Sequence, residues 1–473
     1  MTTTQDVLAQ LDQVFDSSVS RLAQWLSIPS VGTDPACNDD TRRAGQWLVD
    51  QLSAIGLEAQ LAETPGHPVV MAHHPGPVGY AGPHILFYGH YDVQPADPLD
   101  LWKSPPFEPV IEDGPTGKRI VARGAADDKG QVMTFVEALR AWKDVTGEIP
   151  CRITCLVEGE EESGSVNLDN FLTDQREALV GTGAANGPCD FVVVSDTGMW
   201  DSNTPALTTM LRGLIYLEFI LHGPSHDLHS GMAGGCVPNP INELTRIFGR
   251  LHDADRCIQI PGFYDDVQPL SDALRAEWEA LGFDEQGFLT ECGLTEDVGE
   301  YGYSLLERQW GRPTCDINGI VGGYTGKGAK TVIPATASVK VSCRLVPNQD
   351  PDKITQSFIE WVKAQVPPAC KLEVLDHGSG RPFVMAPDSP YVEVARAGLE
   401  EDLGKRPVLM GCGGSIPVVE SFKRILGLDA LLVGFGLSDD RVHSPNEKFD
   451  LKCFNLGQRT HAALLSRFAG MQV

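Results

Sequence analysis

The sequence predicts an α/β protein, with a mainly parallel sheet in a larger domain and an inserted α+β domain of ferredoxin-like pattern. Three observations predict it. Short apolar runs rich in Val, Ile and Phe occur at residues 85–89, 153–157, 191–195 and 431–435. Such runs read as strands buried on both faces. Helical patterns separate them, as a parallel sheet requires. Near residue 210 the pattern changes. Residues 336–346 alternate, with Val339, Val341, Cys343 and Leu345 on one side and Lys340, Ser342 and Arg344 on the other. That is a half-buried strand.

Each element follows from its local pattern. In residues 1–30, Val7, Leu8, Leu11, Val14, Val19, Leu22 and Leu26 recur at helical spacing. A helix is expected over 41–55, stopped by Gly56. A strand follows at 84–89, a helix at 129–143, and strands at 152–158 and 191–195. The inserted domain reads as a strand at 214–220, a helix from Pro240, the strand at 336–346, a helix at 351–366 and a strand at 371–375. A helix at 389–402, a strand at 430–434 and a helix at 455–469 resume the first pattern. A chain of 473 residues exceeds one ordinary core. The expected partition is 1–209 and 383–473 for the larger domain, with 210–382 inserted.

The formal net charge of −27 argues against nucleic acid or an anionic membrane as partner. No apolar run approaches the ~18 residues of a membrane span, and no secretory signal is evident. The twelve cysteines form no C-x2-C pair. Reduced, buried thiols and a cytoplasmic location are the expectation.

Five side chains of metal-ligating type stand near the ends of these runs: His90, Asp127, Glu162, Asp196 and His443. Ligands bind at the carboxyl ends of strands in open α/β sheets. Two imidazoles and three carboxylates suit a pair of divalent cations better than one. His90 is followed by Asp92, and a ligating imidazole commonly gives its other N–H to a carboxylate or carbonyl. Asp127 and Asp128 precede a helix, where acids are favourable anyway; alternatively one of them bridges two cations. Residues 158–162 hold four acids in five positions directly after a strand. A solvated charge run is the ordinary explanation of such a cluster. At a strand end, one carboxylate can bind metal while its neighbour takes a proton from water. Residues 226–231 contain His226 and His229, which by themselves carry no signal. The glycine-rich turn 411–417 could face a substrate oxyanion or carboxylate with backbone N–H groups and Ser415.

Taken together, nine ordered segments resemble the di-zinc M20 metallopeptidases, and within them the cytosolic non-specific dipeptidase and carnosinase branch. They are GHYDVQP (89–95), RGAADDKG (123–130), EGEEESGS (158–165), VSDTG (194–198), DLHSG (227–231), GAKTVIP (328–334), SCRLVP (342–347), GGSIP (413–417) and HSPNEK (443–448). The resemblance covers essentially the whole chain. One departure is Ala122, where the family often has glycine.

The resemblance implies a di-zinc exopeptidase fold and two divalent cations per subunit, zinc first, with manganese or cobalt as alternatives. His90 and Asp196 would hold one, Glu162 and His443 the other, and Asp127 would bridge. Glu161 would be the general acid/base and Asp92 the partner of His90. Arg344 and Ser415 would bind substrate, and His229 and Thr331 would reach a neighbouring subunit's site in a homodimer. The Asp127–Asp128 peptide would be cis. The implied activity is hydrolysis of dipeptides; the alternatives are an N-acyl amino acid deacylase or a carboxypeptidase on the same metals. Asp rather than Glu at position 196 accompanies the dipeptidases.

Overall fold

A computed structural model describes residues 3–385, 389–414 and 416–471. By its contacts the chain divides into two compact units. One comprises Met1–Thr209, Met385–Met410 and Ser421–Val473; the other comprises Met210–Val384 and Gly411–Glu420.

The first unit is built on a sheet whose strands lie in the order Glu58–Ala62, Val69–His74, Arg152–Glu158, His84–His90, Phe191–Val194, Ala430–Leu432, Ala206–Leu211. The four strands from Arg152–Glu158 to Ala430–Leu432 are mutually parallel. Antiparallel strands flank them. Every residue of His84–His90 and of Phe191–Val194 is buried, which is why these strands read as unbroken apolar runs.

Helix Lys129–Thr146 covers this sheet and stops at Gly147, whose φ of +79° only glycine adopts freely. Phe135 on the helix stacks on Phe87 of the strand at 3.8 Å between centroids. Helix Leu451–Ala469 packs beside it, and the Trp142 indole donates to the Ala462 carbonyl at 3.0 Å. The N-terminal apolar pattern forms two helices, Thr4–Gln13 and Phe15–Leu26, broken at Val14.

A small sheet pairs Val110–Gly114, Gly117–Val121 and Lys448–Asp450. The pairing Lys448↔Val121 carries the His443 segment to the chain that leads into Asp127. Charge and turn residues obscure these short strands in the sequence.

The second unit contains a four-stranded antiparallel sheet in the order Thr314–Gly322, Thr336–Leu345, Gly213–His222, Lys371–Gly380. Helices Pro240–Phe248 and Pro351–Lys363 complete a ferredoxin-like βαββαβ arrangement. Its core joins Leu217 and Phe219 to Val339, Val341, Leu244 and Phe358. Asp350 starts the second helix by accepting from the amides of Asp352 and Lys353. Three short helices at Asp272–Ala280, Glu285–Glu291 and Leu305–Trp310 extend this unit between its first two sheet strands. No helix among the described residues is long and apolar enough to cross a membrane.

Candidate metal centre

The five candidate ligands all lie in the first unit. His90 is the last residue of its strand. Glu161 and Glu162 open a single 3-10 turn three residues beyond the parallel strand Arg152–Glu158. Asp196 follows Phe191–Val194, Asp127 precedes helix Lys129–Thr146, and His443 sits on the loop before Lys448–Asp450. Two three-ligand clusters result: His90, Asp127 and Asp196, and Asp127, Glu162 and His443. Within each cluster the ligand atoms lie within 4.8 Å of one another.

Asp127 belongs to both clusters and divides its oxygens between them. Its Oδ1 is 3.0 Å from His90 Nε2, and its Oδ2 is 2.9 Å from His443 Nε2. Glu162 Oε2 is 3.2 Å from the same His443 nitrogen. The Asp127–Asp128 peptide is cis.

The supporting contacts refine the role expected of Asp92. The His90 Nδ1 is 3.1 Å from the Asp92 carbonyl oxygen and 3.4 Å from its carboxylate. The carboxylate instead accepts the amides of Glu161 at 3.2 Å and Glu162 at 3.0 Å. One residue therefore orients the imidazole and both neighbouring acids. Asp128 accepts the His90 amide at 3.1 Å.

Two supporting residues carried no assigned role in the sequence. Glu447 is fully buried and accepts from Arg123 Nη1 at 2.7 Å and from the amides of Gly124, Ala126 and Asp127 at 3.0, 2.9 and 3.1 Å. It fixes the loop that delivers Asp127. Gln94 donates to Glu162 Oε2 at 2.7 Å. Both stand inside motifs that are legible, but only the fold brings them to the ligands.

The electrostatics fit divalent cations. Burial, then the neighbouring carboxylate of Asp127, pushes the Asp196 carboxyl well above its usual range. Burial and the charge of Asp196 do the same to Asp128. Burial, reinforced by neighbouring carboxylates against His90, pushes Glu161 up to about 7. Bonds to Asp127 and Glu162 hold His443 up at about 10 against burial. Desolvated acids that crowd this closely need positive charge. Where imidazole and carboxylate share protons, a divalent cation satisfies both kinds of donor.

The remaining candidates lie in the second unit. His229 and Thr331 meet on a two-stranded ribbon, with His229 opposite Val332 and the Ser230 amide donating to the Thr331 carbonyl at 3.0 Å. Arg344 lies near the far end of strand Thr336–Leu345, opposite Leu214 and Thr314. It is eight residues from Thr336, roughly 26 Å at ~3.3 Å per residue. The fold of this unit thus keeps Arg344 apart from the strand end that Thr331 leads into. Ser415 falls outside the described residues. The turn before it is gripped by Arg212, whose amide reaches the carbonyls of Cys412 and Gly414 at 3.4 and 3.2 Å and whose Nε donates to the Gly413 carbonyl at 2.9 Å.

Residues 86–467 match the Peptidase family M20/M25/M40. The chain belongs to that family. The Cys-Gly metallodipeptidase DUG1 of Candida albicans is 31% identical over 96% of this chain and 95% of its own length. The solved di-peptidase Dug1p from Saccharomyces cerevisiae is 30% identical, with a TM-score of 0.79 covering 100% of this chain and 99% of that one. The M20 metallo-carboxypeptidase Sso-CP2 from Sulfolobus solfataricus is 30% identical, with a TM-score of 0.81 over 96% and 99%. As a member of this family the protein is a metal-dependent peptidase, a hydrolase, and its catalytic fold is that of the M20 enzymes.

Proposed function

We propose that this M20 peptidase hydrolyses dipeptides at a centre of two divalent cations, zinc first. The observation that carries this reading is the pair of ligand clusters sharing Asp127, with Glu161 one residue from the ligand Glu162. Metallodipeptidase relatives spanning nearly the whole chain support the substrate class.

His90 and Asp196 would hold one cation, Glu162 and His443 the other, and Asp127 both. Bound there, the cations would supply Lewis acidity toward the scissile carbonyl and lower the pKa of the attacking water. Glu161, half-buried and raised to about 7, takes the proton of the attacking water and returns it to the leaving amine. Asp92 keeps Glu161 and Glu162 in register by holding both amides. Arg344 and Ser415 bind the substrate; the planar fork of Arg344 suits a terminal carboxylate.

The active form is a homodimer. Strand Thr314–Gly322 is an edge of its sheet and exposes Ile317, Ile320 and Val321. An open, apolar edge favours pairing with a second copy. His229 accepts from the Gly231 amide on Nδ1 at 3.0 Å, which leaves Nε2–H as a donor for the oxyanion in a partner's site. Thr331 shares its ribbon. Twelve free thiols fit a cytoplasmic setting.

A carboxypeptidase is the second reading, favoured by the likeness to the Sulfolobus enzyme. A panel of dipeptides, dipeptide amides, tripeptides and N-acetyl amino acids, assayed before and after chelation, separates them. Dipeptides with a free carboxylate should be cleaved fastest, and activity should vanish on chelation and return with zinc. Amides cleaved as fast as acids would remove the Arg344 clamp. Faster tripeptide cleavage would favour the carboxypeptidase.

A further inference from the structure

Residues 158–165 form the turn that delivers Glu161 and Glu162, and one of them has a backbone that its own chemistry does not favour. Ser165 sits at φ +50°. In that left-handed region the Cβ of an L residue crowds its own backbone, and serine enters it seldom. A residue stays there when its surroundings hold it. Here the hold is specific. The Ser165 hydroxyl donates to Glu158 Oε1 at 2.9 Å, and the Ser165 amide donates to the Glu160 carbonyl at 2.7 Å.

Glu158 is the last residue of its parallel strand and is 2% exposed. A carboxylate buried there needs donors. Besides Ser165, the hydroxyl of the fully buried Tyr88 donates to the same Oε1 at 2.7 Å. Tyr88 stands two residues before His90 on strand His84–His90. The link therefore runs from the strand that ends in His90, through Glu158, to the far end of the turn.

We infer that Ser165 is a positioning residue of the reaction: its bond to Glu158 closes the turn and fixes where Glu161 and Glu162 point. The inference rests on the reading of Glu161 as the proton carrier and Glu162 as a ligand.

The turn is held at both ends. At its start the Asp92 carboxylate accepts the amides of Glu161 and Glu162. At its end the Gly164 amide donates to the Glu161 carbonyl at 2.9 Å, beside the bond from Ser165 to Glu160. A Ser165 released from Glu158 relaxes toward negative φ, and that rotation pulls on both carbonyls. Asn167 separately grips the Glu160 carboxylate, at 3.1 and 2.8 Å, so the chain around the turn stays folded when Ser165 is changed. The effect then falls on the aim of the two acids, where a shift of about 1 Å can cost roughly 10²-fold in rate.

The test compares Ser165→Gly and Ser165→Ala with the parent, all zinc-loaded, on Ala-Gly. Both variants remove the hydroxyl. Only alanine keeps a Cβ at positive φ, so the glycine variant should melt above the alanine variant by roughly 2 °C. Despite that difference, kcat should fall about tenfold in both with KM nearly unchanged, and zinc should bind both chelated proteins about tenfold more weakly than the parent. An equal loss in the two variants, in kcat or in zinc affinity, bears the inference out. Parent-like kcat and zinc affinity in Ser165→Gly overturn it. A kcat that follows the melting temperature also overturns it, because Ser165 then serves the fold alone. Glu161→Gln, run beside them, tests the underlying reading. If it keeps turnover with full metal, that reading falls and the inference with it. An inactive Glu161→Gln beside a fully active Ser165→Gly removes the inference alone.

Discussion

Glu161 and Glu162 are chain neighbours with different surroundings. Glu162 accepts from Gln94 and faces His443, a ligand's environment. Glu161 is raised by burial to about 7, where a group can both take and give a proton near neutral pH. Glu161→Gln should keep the metal content and lose roughly 10²–10⁴-fold in kcat. Metal analysis beside steady-state kinetics checks this, and near-normal turnover with full metal would reassign the base. Glu447 acts one step further out. Its carboxylate gathers three amides and Arg123 in a fully buried position, so the loop ahead of Asp127 has one arrangement. Glu447→Gln keeps the shape but leaves the Arg123 charge buried without its counterion. Metal affinity should fall roughly 10–100-fold, as for other supports of ligands. Isothermal titration of the chelated protein measures it, and unchanged affinity would make Glu447 a fold residue only.

Strand ends set the site, and they also set one of the fold's pH limits. His84 begins the central parallel strand. Its Nδ1–H donates to the Gly187 carbonyl at 3.0 Å, and Nε2 accepts from the Thr154 hydroxyl at 2.9 Å. The neutral ring satisfies both nitrogens, and burial, which disfavours the charged ring, holds the pKa down to about 4. Between the ordinary value of 6.5 and about 4 the unfolded chain takes a proton that the folded chain does not. The stability His84 contributes is therefore full above pH 6.5 and is lost as pH falls through that window, in all on the order of 3 kcal/mol. Urea unfolding at pH 7 and at pH 4.5 should show a steeper loss for the parent than for His84→Gln, by about one proton. Equal slopes would remove His84 from the acid limit. The same strands explain what was legible beforehand. Runs such as residues 85–89 and 191–195 are buried on both faces, so their apolar continuity locates strands, and the ligands follow at their ends. The small sheet of Val110–Gly114, Gly117–Val121 and Lys448–Asp450 has no such signature, because its strands are short and rich in charge. Its pairing, which brings His443 to Asp127, joins segments more than 300 residues apart and leaves no local trace. Glu447 was hidden for the same reason: its partners lie in residues 123–127.

At the scale of the whole molecule the question is which chain completes which site. Within one chain, the ribbon of His229 and Thr331 leads into the start of strand Thr336–Leu345, while Arg344 lies near its end. A dipeptide is far shorter than the roughly 26 Å that separates the two strand ends. A single copy of this unit holds the two strand ends farther apart than a dipeptide spans, and the proposed homodimer, in which His229 and Thr331 would serve the partner, resolves the separation. The exposed edge strand with Ile317, Ile320 and Val321 supplies a surface for that pairing. The consequence is a complementation that no self-contained site allows. Glu161→Gln would remove the proposed proton carrier, and His229→Ala the proposed oxyanion donor. Each homodimer should be nearly inactive. In a mixed dimer, one site combines the intact metal centre of the His229→Ala chain with the intact His229 of the Glu161→Gln chain. About a quarter of the parent activity should return after random exchange, since half the dimers are mixed and each carries one whole site. Differently tagged chains, purified as heterodimers and assayed on a free dipeptide, make the measurement direct. Heterodimers that form but remain inactive would show that each chain builds its site alone.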